Sequence, residues 1–187
     1  MTESNEITLE DFFGFLTKRR GKLDGVCITG GEPLINEDIK PFIKEIRSMG
    51  FSIKLDTNGS FPNRLKEILD EGLIDYAAMD IKNSPSRYEA TAGVQTDTEK
   101  ITESIRLIMS SDVPYEFRTT VVKGFHDDNS FHEIGKWIKG AKAYYLQAFE
   151  DSGNLIGSGL AGFAKPEMER FVKIASEYVE NTAVRGI

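Results

Sequence analysis

Gly30-Gly31-Glu32-Pro33 is where this sequence concentrates the most chemistry. These residues end a short apolar run, Gly25-Val-Cys-Ile-Thr29. Glycines carry no Cβ, so the backbone there can approach a ligand closely. Glu32 adds a negative charge at the same point, and Pro33 fixes the turn that follows. An ammonium has three donors and no acceptor, so carbonyls and a carboxylate suit it. The segment therefore reads as a pocket for a small ligand with a cationic group. Cys27, the only cysteine, lies inside the run and reads as a small buried hydrophobe.

Other polar side chains recur where later apolar runs end. Asp56, Thr57 and Asn58 close the second run, and Asp80 and Lys82 the third. Arg118 and Thr120 lie along the fourth, with Lys123 and His126 beyond it. Gln147, Phe149 and Glu150 close the fifth. Ligands of parallel α/β folds bind at the C-terminal ends of the strands, so one edge of a sheet would gather these groups. Plainer readings stand beside this one. Gly30-Gly31 alone could be a strand-to-helix turn, and Asp56 could cap its own turn. Arg118 could form an internal ion pair, and Lys82 could be a solvated loop lysine. His126 and His132 read as surface residues, and Trp137, at helical spacing from Ile134 and Ile138, as core.

The elements that would position these groups alternate. Thr8 to Asp11 has the pattern of a helix N-terminus, followed by Leu9, Phe12, Phe13 and Leu16 on one face. Strands are predicted over 26–29, 52–56, 76–81, 115–122 and 144–149. Helical stripes fall at Ile39, Phe42, Ile43 and Ile46, at Leu65, Ile68 and Leu69, and at Ile101, Ile105 and Ile108. Ser130-Phe-His-Glu133 has the form of a capping box opening another helix. Pro166 opens the last, with Phe171, Ile174 and Tyr178 inward. Lys82–Thr96 and the glycine-rich Asp151–Gly162 read as loops. Five strands alternating with six helices predict an α/β fold with a parallel sheet and right-handed crossovers.

The bulk numbers narrow the class. A length of 187 residues suits one domain spanning 1–187, and 40% hydrophobic content is enough for a core. A net charge of −7 argues against a nucleic-acid surface. No run is long enough to span a membrane. The polar start shows no secretory signal, so the expected location is the cytoplasm.

The motifs, taken in order, resemble the activating enzymes of glycyl radical enzymes, within the radical S-adenosylmethionine (radical SAM) proteins. Gly30-Gly31-Glu32-Pro33 looks like their GGEP motif. Leu55-Asp-Thr-Asn-Gly59 and Met79-Asp-Ile-Lys82 look like their DTNG and D-x-K segments. Thr119-Thr-Val-Val-Lys-Gly124, Tyr145-Leu-Gln-Ala-Phe149 and Val184-Arg-Gly186 continue the likeness. Activases of anaerobic ribonucleoside-triphosphate reductase are the most similar in pattern, then those of pyruvate formate-lyase. The resemblance implies a partial (β/α)6 barrel. It implies that Gly30, Gly31 and Glu32 hold the methionine amino group of SAM. Asp56 and Thr57 would lie by the ribose and the methionine carboxylate. Lys82 would pair with that carboxylate beside Asp80, and Gln147 and Phe149 would line the adenine. A monovalent cation near Asp56, Thr57 and Asp80 is a further implication. In the family a [4Fe-4S] cluster cleaves SAM reductively, and the radical formed takes a hydrogen atom from a glycine of the partner enzyme. The implied partners are that glycyl radical enzyme and an electron donor such as flavodoxin or ferredoxin.

One departure stands out. The family holds its cluster through C-x3-C-x2-C on a loop after its first barrel strand, and one cysteine cannot supply three thiolates. The expectation is thus a chain corresponding to the downstream part of an activase, without the first strand and the cluster loop. An unpaired sheet edge would then favour a dimer. A cluster-less relative that binds SAM or a protein, without redox activity, is the alternative. An aldolase-like or phosphate-binding barrel ranks third, because no glycine-rich phosphate loop leads into a helix.

Overall fold

The structure, a computed structural model, describes residues 7–150 and 160–186. Six parallel strands form one open sheet in chain order. They are β1 (Gly25–Ile28), β2 (Ser52–Thr57), β3 (Tyr76–Asp80), β4 (Tyr115–Val121), β5 (Tyr144–Ala148) and β6 (Thr182–Arg185). The helices are α1 (Leu9–Arg19), α2 (Ile39–Ser48), α3 (Pro62–Asp70), α4 (Tyr88–Ala92), α5 (Thr98–Ser110), α6 (Asp128–Trp137) and α7 (Lys165–Ala175). This is the open parallel sheet expected of a partial (β/α) barrel. Its free edges are β1 and β6.

Alternation along each strand divides the sheet into two unlike faces. Ile53 and Leu55, Ala77 and Met79, Phe117 and Val121, and Tyr144 and Leu146 are buried on one face. Right-handed crossovers carry the helices to that same side. Ile43, Ile46, Leu65, Ile68, Ile105, Ile108, Phe131 and Phe171 close the core from the helices. The other face carries Lys54, Asp56, Tyr76, Asp80, Glu116, Arg118, Tyr145, Gln147 and Arg185. Nine polar residues on one face of a parallel sheet leave it uncovered by helices.

Several expectations need correction. The sheet has a sixth strand, Thr182–Arg185, too short to stand out in the sequence. The stretch 82–96 is not all loop: Pro85–Arg87 forms a 3-10 turn and Tyr88–Ala92 a short helix closed by Gly93. Tyr88, 2% exposed, brings this helix onto the core. The capping box at α6 is Asp127 with Ser130, three residues earlier than expected. The helix-opening role of Thr8 holds, since its hydroxyl accepts from the Asp11 N–H at 3.1 Å. Leu9 is exposed rather than inward, whereas Leu16 is buried. Tyr178 lies beyond the end of α7 and packs edge-on to His132. Most of the glycine-rich segment Asp151–Gly162 lies outside the described residues. Among the described residues, no helix is long and apolar enough to cross a membrane.

Candidate functional site

Gly30 has φ +136°, a conformation that glycine alone adopts without strain. A Cβ at Gly30 or Gly31 would meet nothing within 4 Å. The backbone is therefore bare and faces open space just past the C-terminal end of β1.

Glu32 is tied down from three directions. Its carboxylate accepts from the Leu34 N–H at 3.0 Å, the Thr57 hydroxyl at 2.9 Å and the Asn58 N–H at 2.6 Å. The Thr57 hydroxyl in turn accepts from the Gly59 N–H at 3.1 Å. Asn58 Oδ1 accepts from the Ser60 N–H at 2.9 Å, an Asx turn. Gly59 has φ +79°, and a Cβ there would collide with Met79. Glu32 thus fastens the loop after β1 to the turn after β2. Three donors leave it about one of its roughly four acceptor positions.

Asp56 plays a different part from the turn cap that its sequence allowed. Residue alternation places it on the open sheet face, opposite Thr57. Its Oδ2 lies 3.1 Å from the Arg118 guanidinium and its Oδ1 2.9 Å from Lys54 Nζ. Arg118 also reaches Asp80 Oδ1, at 2.9 Å through one terminal nitrogen and 3.0 Å through Nε. Asp80 Oδ2 lies 3.3 Å from Lys82 Nζ. A row Lys54–Asp56–Arg118–Asp80–Lys82 therefore crosses three strand ends. Its three cations and two carboxylates leave one positive charge in excess. Burial alone would raise the Asp56 carboxyl, but Lys54 and Arg118 outweigh it and hold its pKa below the usual value. Burial would likewise lower Arg118, and the two aspartates more than reverse this. Asp56 and Asp80 thus converge on a guanidinium, while Thr57 turns its hydroxyl away from both.

Lys82 is less committed than its neighbours, with 43% of its side chain exposed. Gln147 lies on the open face of β5, in register with Thr120 and Arg185. Phe149 follows the end of β5 and is half-buried. Its carbonyl oxygen would lie 2.6 Å from a Cβ at Gly162, so these segments touch through bare backbone. Gly30, Gly31, Glu32, Asp56, Asp80, Lys82, Gln147 and Phe149 thus collect at the C-terminal edge of one sheet.

Sequence reasoning missed a second polar set on the same face. Glu116, 4% exposed at its side chain, accepts from both Arg185 terminal nitrogens at 2.8 and 2.9 Å and from the Tyr76 hydroxyl at 3.0 Å. Arg185 also stacks 3.5 Å over the Tyr145 ring. Burial would raise Glu116, and the bonds from Arg185 and Tyr76 bring it below the usual carboxylate value.

Two single-residue readings are overturned. Cys27 is exposed on the edge strand, not buried. Desolvation by the atoms packed beside it, and then the nearby Asp56 carboxylate, push the thiol above its ordinary pKa. His126 is buried, and burial lowers it below the usual histidine value. His132 is half-buried, with Nδ1 3.1 Å from the Tyr178 hydroxyl. Among the described residues, no three His, Cys, Asp or Glu side chains converge as a metal site would require.

Known proteins resemble this chain in sequence and in fold. A family model described as the radical SAM superfamily matches residues 4–138. A Methanocaldococcus jannaschii protein whose assigned name is glycyl-radical enzyme activating enzyme is 32% identical over 171 residues, 88% of this chain and 71% of that protein. A 7-carboxy-7-deazaguanine synthase of Thermoplasma acidophilum is 29% identical over 129 residues, 67% of this chain and 58% of its own length. Among solved structures, a domain of pyruvate-formate lyase-activating enzyme from Bacteroides vulgatus superposes with a TM-score of 0.71 at 18% identity. It covers 87% of this chain and 99% of that domain, and at this identity it speaks for the fold alone. The open six-stranded sheet, the motifs at its strand ends and the match over residues 4–138 place this chain in the radical SAM superfamily.

Proposed function

We propose that the chain is the SAM-holding part of an activase that installs a glycyl radical on a partner enzyme. The partner would be of the anaerobic ribonucleotide reductase or pyruvate formate-lyase type, with flavodoxin or ferredoxin as electron donor. The observation that carries the SAM reading is the strand-end charge pattern. Bare backbone and the Glu32 carboxylate lie after β1, and a row of ion pairs with one excess positive charge ends at Lys82. An amino-acid group carries an ammonium and a carboxylate side by side, which suits these two sites. Gly30, Gly31 and Glu32 would take the ammonium and Lys82 the carboxylate. Asp80 and Arg118 would hold Lys82 toward it, Asp56 and Thr57 would flank the ribose, and Gln147 and Phe149 the adenine. When bound, SAM supplies the 5′-deoxyadenosyl group; this chain's share is to bind and orient it.

The [4Fe-4S] cluster does not fit the residues of this chain. Cys27 is the one cysteine, and it lies in β1 rather than on a loop, so three thiolate ligands cannot come from this sequence. Cluster thiolates would have to come from residues outside this sequence. The same observation favours a second reading, a relative that binds SAM or a protein without redox activity. Two measurements test the pair. Calorimetric titration of the 187-residue chain with SAM should give saturable binding; no binding would end the SAM reading. Reconstitution with iron and sulfide should leave the visible spectrum without a stoichiometric cluster band; such a band would overturn the cluster assignment. Among the described residues β1 pairs with β2 alone, and that edge suits self-association, which light scattering across a concentration series would reveal.

A further inference from the structure

His126 and Asn83 are buried polar side chains that none of the roles above uses. His126 is 4% exposed and Asn83 fully buried. Both are bonded into the turn that carries Lys82. His126 Nε2 lies 2.9 Å from the Lys82 carbonyl oxygen. A carbonyl only accepts, so this bond forms when Nε2 carries the proton; Nδ1 lies 3.3 Å from the Val122 carbonyl oxygen, which takes a proton from the doubly protonated ring. Nδ1 lies 3.2 Å from the Val122 nitrogen, whose N–H it accepts when the ring is neutral. The ring stacks on Phe131 at 5.9 Å. Asp127 and Arg87 are the charged groups that act on it, with opposite signs.

Asn83 grips the same turn in the other direction. Its Nδ2 donates to the Phe125 carbonyl at 2.9 Å and to the Thr91 hydroxyl at 2.8 Å. Its Oδ1 accepts from the Ser84 N–H at 2.7 Å. One residue earlier, the Ile81 carbonyl accepts from the Thr119 hydroxyl at 2.7 Å. The backbone carbonyls of Ile81 and Lys82 and the side chain of Asn83 are thus held by β4 and the turn that follows it, with Thr91 as a further acceptor for Asn83. The Lys82 side chain alone extends into solvent from this base.

We propose that His126 and Asn83 are positioning residues for Lys82. They fix its backbone so that the ammonium is already aimed at the carboxylate of an amino-acid-like ligand in the strand-end site. The assignment rests on the SAM reading above for the identity of the ligand, not for the clamp itself. Preorganising a long, flexible lysine matters because ordering it on binding would otherwise subtract from affinity. Holding a binding group through a locked supporting shell is the general means of doing so.

The experiment uses the whole chain and four variants. Glutamine places a donor near Nε2, whereas asparagine is too short to do so. His126→Asn should weaken SAM binding by roughly five- to tenfold and speed amide exchange at residues 82–84 without ligand. His126→Gln should restore both. Lys82→Ala should weaken binding by a similar factor, and Lys82→Ala with His126→Asn should lose no more than Lys82→Ala alone. Additive losses would mean that His126 acts elsewhere and would overturn the proposal. Unchanged exchange in His126→Asn would overturn it as well, even if the wild-type chain binds no SAM. In that case faster exchange supports the clamp while the SAM reading fails. Should His126→Asn not fold, nitrogen NMR of the wild-type imidazole decides, with His132 as the only other histidine signal. A protonated Nε2 is expected; a lone Nδ1–H tautomer would leave the Lys82 carbonyl without its donor and sink the proposal.

Discussion

Glu32 and Lys82 both read from the sequence as ligand contacts, and the structure separates their energetics. Glu32 satisfies three donors from two different loops. Glu32→Ala would leave the Asn58 and Leu34 N–H groups and the Thr57 hydroxyl without that acceptor. The expected loss is about 1–3 kcal/mol of stability, measured by urea unfolding, together with weaker SAM binding. Lys82 is nearly half-exposed, and its ion pair with Asp80 at 3.3 Å is peripheral. Lys82→Ala should leave the urea midpoint almost unchanged, because exposed pairs contribute roughly 0–1 kcal/mol, while SAM affinity falls. A Lys82→Ala chain that unfolds early would mean the lysine is structural. Residue types and spacing made these groups legible because a glycine pair, a carboxylate and a proline in a row have few other uses. Cys27 and His126 were not legible in the same way. The burial of a single side chain depends on which strand lies at the sheet edge and which turn folds back. Those are facts about distant parts of the chain.

Elements with long periodic stripes were legible, and short ones were not. β4, with Phe117 and Val121 on its helix-covered side, stands out, as does α2 with Ile39, Ile43 and Ile46. β6 has four residues and no buried ones, so its sequence carries no signal beyond a β-branched pair. What holds it is visible only in three dimensions: parallel pairing with β5 and the Arg185 bonds to Glu116, 69 positions away in sequence. The shift of the α6 capping box has a similar cause. Asp127 and Ser130 satisfy the box themselves, leaving Glu133 free to bond Ser86 at 3.0 Å. The anchoring of β6 is testable. Arg185→Ala should strand the Glu116 carboxylate in a buried position with only the Tyr76 hydroxyl as donor. A loss of about 1–3 kcal/mol is expected, with faster amide exchange in β6 than in β3. Arg185→Lys should recover little of it, since an ammonium can reproduce neither the paired donors to Glu116 nor the stacking on Tyr145. Full recovery by lysine would show that charge alone anchors the strand.

Across the whole molecule, the titratable groups set a window of pH within which the fold should be most stable. Asp56, Glu116 and Asp127 all have lowered pKa values. For a group depressed in the folded state, the stability it contributes is present above its unfolded value and is lost as pH falls through the folded one. His126 is also depressed, chiefly by burial, so the same sign applies from its higher starting value. The unfolded chain binds protons at His126 from about pH 6.5 downward and at carboxylates from about 4. Stability should therefore begin to fall gently below about pH 6.5 and steeply below about 4. On the alkaline side the sign reverses. Burial pushes Tyr88 up to about 12, and burial with the Glu116 hydrogen bond does the same for Tyr76. A raised group contributes stability that is complete below its unfolded value, about 10 for tyrosine, and lost as pH climbs through the folded one. A plateau from about pH 6.5 to about 10 is the expected result of urea midpoints measured across pH. His126→Gln should remove the gentle slope below about pH 6.5 and leave the steep limb in place. Arg185→Ala should lower the plateau and flatten the steep limb, because Glu116, without the partner that offsets its burial, no longer gives up stability as it takes a proton. A steep limb of unchanged slope in Arg185→Ala would show that Glu116 contributes nothing to it and that the other lowered carboxyls, Asp56 and Asp127, carry it.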